Sequence, residues 1–472
     1  MHSIIFDNTY NDWNEALPTG NGVFGGMVYF KDRFYTTAMN HYEVYYSIHE
    51  QYVRSNGCEP QRSYESYVRS AKEMTRNCEK EAFWHYRKTI WPDADEVKDA
   101  QLNAGVSHPP TGEFSVLLDE KFKLEDDFRL QLNIEKAEIE LYAKDKERAL
   151  SIATKTLVSK DVILTTICQS DTDIVSALEI TYPIRRNRQG YAYRFFQSDP
   201  DTFGYRASFY PGNREDGKTP PFQFCVFFRL IGAEAKMEVS GNKMCLCLKN
   251  PGKEISVLTH VLTELQSCDL EEEGIRNCAL IKRNLKKDLE IHEKHWKMFF
   301  QKGGIRLPDR FLEKLWYLNL YVMGCCSGKG GRRSEHACGL NGLWDIRQPT
   351  LWGSMWYWDV NIQSAFWGVY TANHMELAEA FNEGLLAYAE MARRRAEEFY
   401  HLDGCAMDYP HEFYNCILPW CAQHLWWYYE YTLDETFLRE KAYPFFRDIL
   451  CFVKGIVRLD PEKNTYYIFP DV

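Results

Sequence analysis

The stretch EISVLTHVLTELQSCDLEEEGIRNCALIKRNLKKDLE, residues 254–290, changes its hydrophobic period part-way along. Its first run, EISVLTHV, follows a Pro251-Gly252 turn and reads as a strand. From about Leu270 the period becomes helical: Ile281, Leu285 and Leu289 recur every four residues. That segment opens with Glu271, Glu272 and Glu273, whose negative charge favours a helix N-terminus. The junction therefore divides a β part of the chain from an α part.

Upstream, between Asn8 and about Cys268, short alternating runs dominate, as in Ala137, Ile139 and Leu141 of KAEIELYAK. Further runs (DVILTTI, FCVFFRLIG, KMEVSG, KMCLCLK) are broken by Gly-Asn, Asp-Gly and Pro-Gly pairs, and together they predict a large antiparallel sandwich. Residues 55–119 are less regular and contain the helix-like YESYVRSAKEMTRNCEKEAFWHYRKTI, expected to be an insertion. Downstream of the linker helix, helical segments are expected at 309–325, 361–372, 376–399, 417–433 and 435–458, with no strand alternation until TYYIF. The expected fold class is multi-domain α and β. It comprises a β-sandwich over 1–268, a helical linker over 269–308 and part of an (α/α) six-hairpin toroid over 309–472. A closed six-hairpin barrel needs about twice the helices that 309–472 hold, so the chain is expected to be a fragment whose last helices expose apolar faces.

Composition narrows the function. The chain has 472 residues, 45% hydrophobic, which is material for large cores, and a net charge of -11 that argues against a nucleic-acid partner. The opening MHSIIFDNTYNDWNEALP lacks a basic n-region and an apolar signal run, and it reads as cytoplasmic. No stretch approaches the roughly 18–20 apolar residues of a membrane span, so no membrane partner is expected. The 15 cysteines are an odd, scattered set that suits free thiols. Cys245 and Cys247 alternate within KMCLCLK, which favours one strand face over a metal site, and no metal or cofactor is expected. GKGGRR from Gly328 lacks the ending of a phosphate loop. Aromatic residues reach 15% and crowd between Trp344 and Tyr431, where they suit either stacked sugars or packed helices.

Three motifs carry chemistry. The first, WNEALPTGNGVFGGMVYF (Trp13 to Phe30), is a tight turn running into a strand; Gly20 and Gly22 permit positive φ there, and Gly25 and Gly26 permit close backbone approach. The second, GLNGLWDIRQPTLWGSMWYWDVNIQSAFW (Gly339 to Trp367), sets Asp359 and Asn361 at the start of a helix behind Trp344, Trp352, Trp356, Tyr357 and Trp358. Two short polar residues there serve equally as N-caps or, beside a wall of rings, as part of a sugar pocket. The third, ILPWCAQHLWWYYEYTLDETFLREKAYPFFRDILCFV (Ile417 to Val453), places Trp420, Gln423, His424 and Trp427 at helical spacing, with Gln423 and His424 reading as structural. In the loop DGCAMDYPHEFY, Asp408, His411 and Glu412 are either sugar-hydroxyl ligands or plain solvated side chains.

Together these motifs resemble glycoside hydrolase family 95, the inverting α-L-fucosidases and α-L-galactosidase-like enzymes, and they occur in that family's order. In such enzymes two asparagines hold and activate the attacking water; Asn361 matches the second, and Asp359 stands where the first is usual. Trp356 stands at the family's Tyr position, and Tyr357 where a His is often found. The resemblance implies catalytic roles for Asp359 and Asn361, substrate-binding roles for Trp352, Tyr357, Trp358 and Trp420, and a glycoside or oligosaccharide substrate. It also places the general acid in a turn following a strand like NTYYIFPDV, beyond Val472. The implied reaction is inverting exo-hydrolysis of a terminal fucose-like or galactose-like sugar. A sugar phosphorylase, or a carbohydrate-binding protein without catalysis, remains as an alternative.

Overall fold

The structure, a computed structural model, describes residues 3–6, 16–44, 110–124, 127–183, 192–209, 221–327, 342–344, 358, 360–407 and 415–468. The chain divides into two compact units. One is Met1–Ser47, Ala104–Ser334 and Cys338–Met355; the other is Ile48–Asn103, Glu335–Ala337 and Trp356–Val472.

The first unit is an antiparallel β-sandwich. Its seven-stranded sheet contains β2 (Leu17–Gly20), β3 (Phe24–Lys31), β4 (Phe34–His41), β5 (Gly112–Leu118), β10 (Val175–Thr181), β14 (Glu234–Ser240) and β15 (Lys243–Lys249), in the order β14-β15-β10-β5-β4-β3-β2. The nine-stranded sheet runs β1 (Ser3–Phe6), β6 (Arg129–Asn133), β7 (Glu138–Asp145), β8 (Arg148–Thr156), β9 (Val162–Gln169), β16 (Glu254–Thr263), β13 (Phe222–Ile231), β12 (Thr202–Phe209) and β11 (Ala192–Asp199). Period-two alternation explains the layers: in β7, Ile139, Leu141 and Ala143 are buried while Glu140, Tyr142 and Lys144 face outward. Ala137 stands one residue before that strand, in a turn with φ 48°. Cys245 and Cys247 share one face of β15, opposite buried Met244 and Leu246, and burial, with Cys247 adding to it, pushes the Cys245 thiol up to about 11. Of the stretch read as an insertion, only 110–119 lies within the described residues; Gly112–Leu118 is a sheet strand between β10 and β4.

Helix α1 (Leu270–Gln301) begins at an Asp269 N-cap, whose side chain accepts the Glu272 N–H at 3.2 Å. It is a packed layer of the first unit. Its Leu270 and Cys278 join a cluster with Phe196, Cys225, Phe227 and Leu262, and its Ile281 joins Leu157, Val162, Leu164 and Leu258. Burying each such side chain stabilises by about 1.5–3 kcal/mol. The approach is close because Gly274 faces the Phe227 ring, where an added Cβ would meet ring carbons at 2.0 Å. Further along, the buried ring of His292 lies 3.0 Å from the Lys136 carbonyl, and burial lowers its pKa to about 4.

Strand β2 and the turn after it form the seam on which later segments of this unit close. Asn21 satisfies its whole amide: Nδ2 donates to the Leu157 and Lys160 carbonyls (3.0 and 2.8 Å), and Oδ1 accepts from the N–H groups of Val23 and Phe24 (3.0 and 2.8 Å). Helix α2 (Arg310–Ser327) docks here through Tyr321, whose hydroxyl donates to the Pro18 carbonyl at 2.8 Å, and through the Cys325 carbonyl, which accepts the Gly22 N–H at 2.7 Å. Gly22 takes φ 89° as expected. Gly20 is needed for closeness rather than for positive φ, because a Cβ there would lie 2.6 Å from the Cys325 carbonyl oxygen. Trp344 closes the seam with its indole N–H on the Thr19 carbonyl at 3.1 Å.

The second unit contains α3 (Val360–Thr371), α4 (Met375–Ala387), α5 (Ala389–Arg395), α6 (Ile417–Thr432) and α7 (Tyr443–Ile456). The helix expected over 376–399 is interrupted at Tyr388 and continues after α5 as a π-helical turn, Ala396–Tyr400. Strand structure returns before TYYIF, in a hairpin of β17 (Val457–Asp460) and β18 (Thr465–Ile468). Trp367, Trp426, Tyr443 and Leu450 are exposed on these helices. Among the described residues no helix is long and apolar enough to cross a membrane.

The Gly274–Phe227 contact is testable. Gly274→Ala is expected to lower the urea midpoint of the sandwich unit by the equivalent of about 1–3 kcal/mol despite better helix propensity. Gly368→Ala on α3, where nothing lies within 4 Å of the added carbon, is expected to gain about 0.5–1 kcal/mol.

Candidate active site

Helix α3 buries Ile362, Gln363, Phe366, Val369 and Tyr370 as one stripe. Gln363 is the polar exception, with no exposed surface, and its Nε2 lies 3.3 Å from the Trp358 carbonyl and 3.1 Å from Cys421 Sγ of α6. Cys421 Sγ is itself 3.6 Å from the Trp358 carbonyl. The residue leading into α3 is thus held by side chains from two helices. The Trp358 ring is half-buried and packs edge-on against Phe381 of α4, with centroids 5.3 Å apart.

These contacts fix the relative direction of α3 and α6. Early in both helices Gln363 meets Cys421; later, the Tyr370 ring packs against Trp427 and Tyr431 at 5.8 and 5.9 Å. The helices therefore run parallel, and their N-termini share one end of the unit. Trp358, Asn361 and Trp420 gather at that end. Asn361 is half-buried in the first turn of α3, and its carbonyl accepts the Ser364 hydroxyl at 3.0 Å. Trp420 is half-buried in the first turn of α6, beside Cys421. Asp359, Trp352, Tyr357 and Trp356 lie outside the described residues, as do Asp408, His411 and Glu412. Trp344 belongs to the seam of the first unit and is 9% exposed, which removes it from any sugar-facing wall.

Behind this end the interior is polar but closed. His424 has no exposed surface; its Nδ1 lies 3.0 Å from the Tyr370 hydroxyl, which also donates to the His424 carbonyl at 3.2 Å. Phe381 packs on its ring at 4.3 Å. Burial lowers the His424 pKa to about 4, so the imidazole is neutral near pH 7 and serves as a joint between α3 and α6. Gln423, by contrast, is exposed. Sequence reasoning passed over Gln363 and Asn382. Asn382 is 2% exposed on α4 and neither of its amide atoms has a hydrogen-bond partner among the described residues. The signal for both was a polar side chain on an otherwise apolar helix face.

Sandwich, packed helix and helical hairpins define a class: a β-sandwich joined to a partial (α/α) toroid. A protein from the human microbiome designated a kojibiose phosphorylase shares this fold. It has a TM-score of 0.59 at 12% identity, over 100% of this chain and 61% of that chain. The inverting mannosidase of family GH92 from Bacteroides thetaiotaomicron gives a TM-score of only 0.36 at 10% identity, over 76% of this chain and 58% of that one, and does not bear on the fold. Residues 283–472 match the glycosyl hydrolase family 95 catalytic domain. Alpha-L-fucosidase 2 of Arabidopsis thaliana is 23% identical over 163 residues, covering 29% of this chain and 19% of that protein. The C-terminal part of the chain thus resembles the family 95 catalytic domain, and the chain matches about a fifth of the length of this curated relative.

His424 sets a pH dependence. Its folded pKa lies below the ordinary 6.5, so stability is complete above pH 6.5 and drains as pH falls toward about 4, where the unfolded chain takes up a proton the folded one refuses. The loss is on the order of 3 kcal/mol. Urea titrations of the helical unit at pH 7 and pH 4.5 check this: His424→Gln is expected to flatten the difference, and an unchanged slope would contradict it.

Proposed function

We propose that the protein is an inverting exo-glycosidase acting on a terminal α-linked fucose-like or galactose-like sugar. Residues 1–268 form its sandwich, 269–308 its linker and 309–472 its part of the barrel. The observation that carries the reading is the convergence of Trp358, Asn361 and Trp420 at the shared N-terminal end of α3 and α6, within the stretch that matches the family 95 catalytic domain. The fucosidase relative supports the choice of sugar.

In this reading Asp359 and Asn361 hold the water that attacks the anomeric carbon. Asp359 directly precedes the first residue of α3. As an ionised carboxylate it takes the water's proton, while the Asn361 amide orients the water's other hydrogen or its lone pair. Inversion requires a separate acid on the opposite side of the scissile bond, about 6.5–9.5 Å from the base. Trp352, Tyr357, Trp358 and Trp420 supply apolar faces for the sugar's C–H surfaces, and indoles and phenols suit this because one side is flat and the rim is polar.

The test is turnover and binding together. p-Nitrophenyl α-L-fucoside and α-L-galactoside are offered to wild type, Asp359→Ala and Asn361→Ala, each expressed together with the segment that carries the general acid, and the first-formed anomer is followed by proton NMR. Release of the inverted anomer, reduced about 10²–10⁴-fold in the variants, is expected. Unchanged turnover in both variants removes these residues from the chemistry. Phosphate-dependent release of a sugar 1-phosphate makes the enzyme a phosphorylase, and binding without release makes it a carbohydrate-binding protein.

A further inference from the structure

The outer face of the nine-stranded sheet is only partly covered. Helix α1 packs on β13, β16 and the neighbouring part of β9, through the clusters around Phe227 and Leu258. On β6, β7 and β8 the same face carries tall polar side chains beside short ones. Cross-strand register sets Arg129 opposite Tyr142 and Gln131 opposite Glu140, and then Tyr142 opposite Ser151 and Glu140 opposite Ala153. The step down from Tyr142 and Glu140 to Ser151 and Ala153 leaves a cleft of about 250 Å³. Sites for drug-sized ligands occupy roughly 300–1,000 Å³, so this one suits a single ring.

We propose that this cleft is a second carbohydrate site, which takes one neutral pyranose unit away from the catalytic centre. The chemistry of the lining selects that occupant. Tyr142, 45% exposed, gives an aromatic face to stack on sugar C–H groups. Glu140 gives a charged acceptor: against the desolvation that burial imposes, hydrogen bonds from Gln131 and Glu138 and the charge of Lys136 hold its carboxyl below the usual range. Gln131, also in the lining, donates to Glu140 through Nε2. Arg129 pairs with no carboxylate among the described residues and supplies donors. The lining itself holds one cation, Arg129, and one anion, Glu140, which Lys136 outside the lining also approaches at 3.6 Å; a lining without a strong excess of either sign favours a polyhydroxylated neutral ligand over a phosphate or a basic peptide. A larger cleft at the β11–β12 and β13–β14 turns, about 770 Å³, differs in that its lining contains no aromatic ring.

The proposal rests on the reading of the chain as carbohydrate-active, and its test separates the two. Methyl α-L-fucopyranoside, methyl α-L-galactopyranoside and methyl α-D-glucopyranoside are titrated into wild type, Tyr142→Ala, Tyr142→Phe and Asn361→Ala, with saturation-transfer NMR and calorimetry as readouts. Tyr142 is on the surface, so its replacement leaves the thermal midpoint in place. At least one probe is expected to occupy a site that weakens tenfold or more in Tyr142→Ala, is retained in Tyr142→Phe, and is indifferent to Asn361→Ala. Binding lost in Asn361→Ala but unchanged in Tyr142→Ala overturns the second site and leaves the catalytic reading standing. Failure of wild type to bind any of the three overturns it as well.

Discussion

The sandwich depends on one amide. Asn21 spends all four of its hydrogen-bonding positions on backbone, two of them on its own turn and two on the turn between β8 and β9 in the opposing sheet. An unmet amide position in this dry setting costs about 1–3 kcal/mol, so the turn has a single satisfied arrangement. That arrangement presents the Pro18 and Thr19 carbonyls and the Gly22 N–H outward, where Tyr321, Trp344 and the Cys325 carbonyl complete them. A local turn thereby fixes where segments some three hundred residues later in sequence must return.

The helical unit uses the same device in a different setting. Gln363 and His424 are buried polar groups on apolar faces, and each joins α3 to α6 by a contact that an aliphatic side chain does not make. Dispersion forces alone let packed helices slide by fractions of a turn; a hydrogen bond at a fixed height removes that freedom. The parallel register of α3 and α6 at the candidate site follows from these two points. Both helices direct their partial positive ends toward the same place.

Much of this was legible in the chain. The change of period near Leu270 separated strands from helices because amphipathic patterns are local, and the helix limits at 310–327, 360–371 and 417–432 fall within two residues of those expected. What was not legible depended on distant partners. Nothing local indicated that α1 would lie against the sheet with Gly274 under a phenyl ring, nor that Gly20 was needed for its nearness to Cys325 rather than for its φ. The break at Tyr388 and the π turn at Ala396–Tyr400 interrupt a sequence with good helix formers throughout, so tertiary packing overrode propensity there. At the candidate site, His424 and Gln423 looked alike by spacing, and only the packing of Tyr370 and Phe381 separated a buried joint from a solvated side chain.

The strand order places β14 at the rim of the seven-stranded sheet, with a row of backbone groups facing outward. An open rim of this kind is where neighbouring molecules add strands and begin to polymerise. β14 carries Glu234, Lys236 and Glu238 on its solvent side, with Lys236 paired to Glu238, so an incoming strand would have to strip water from alternating charges. The placement of those charges keeps the sandwich from growing by edge-to-edge association.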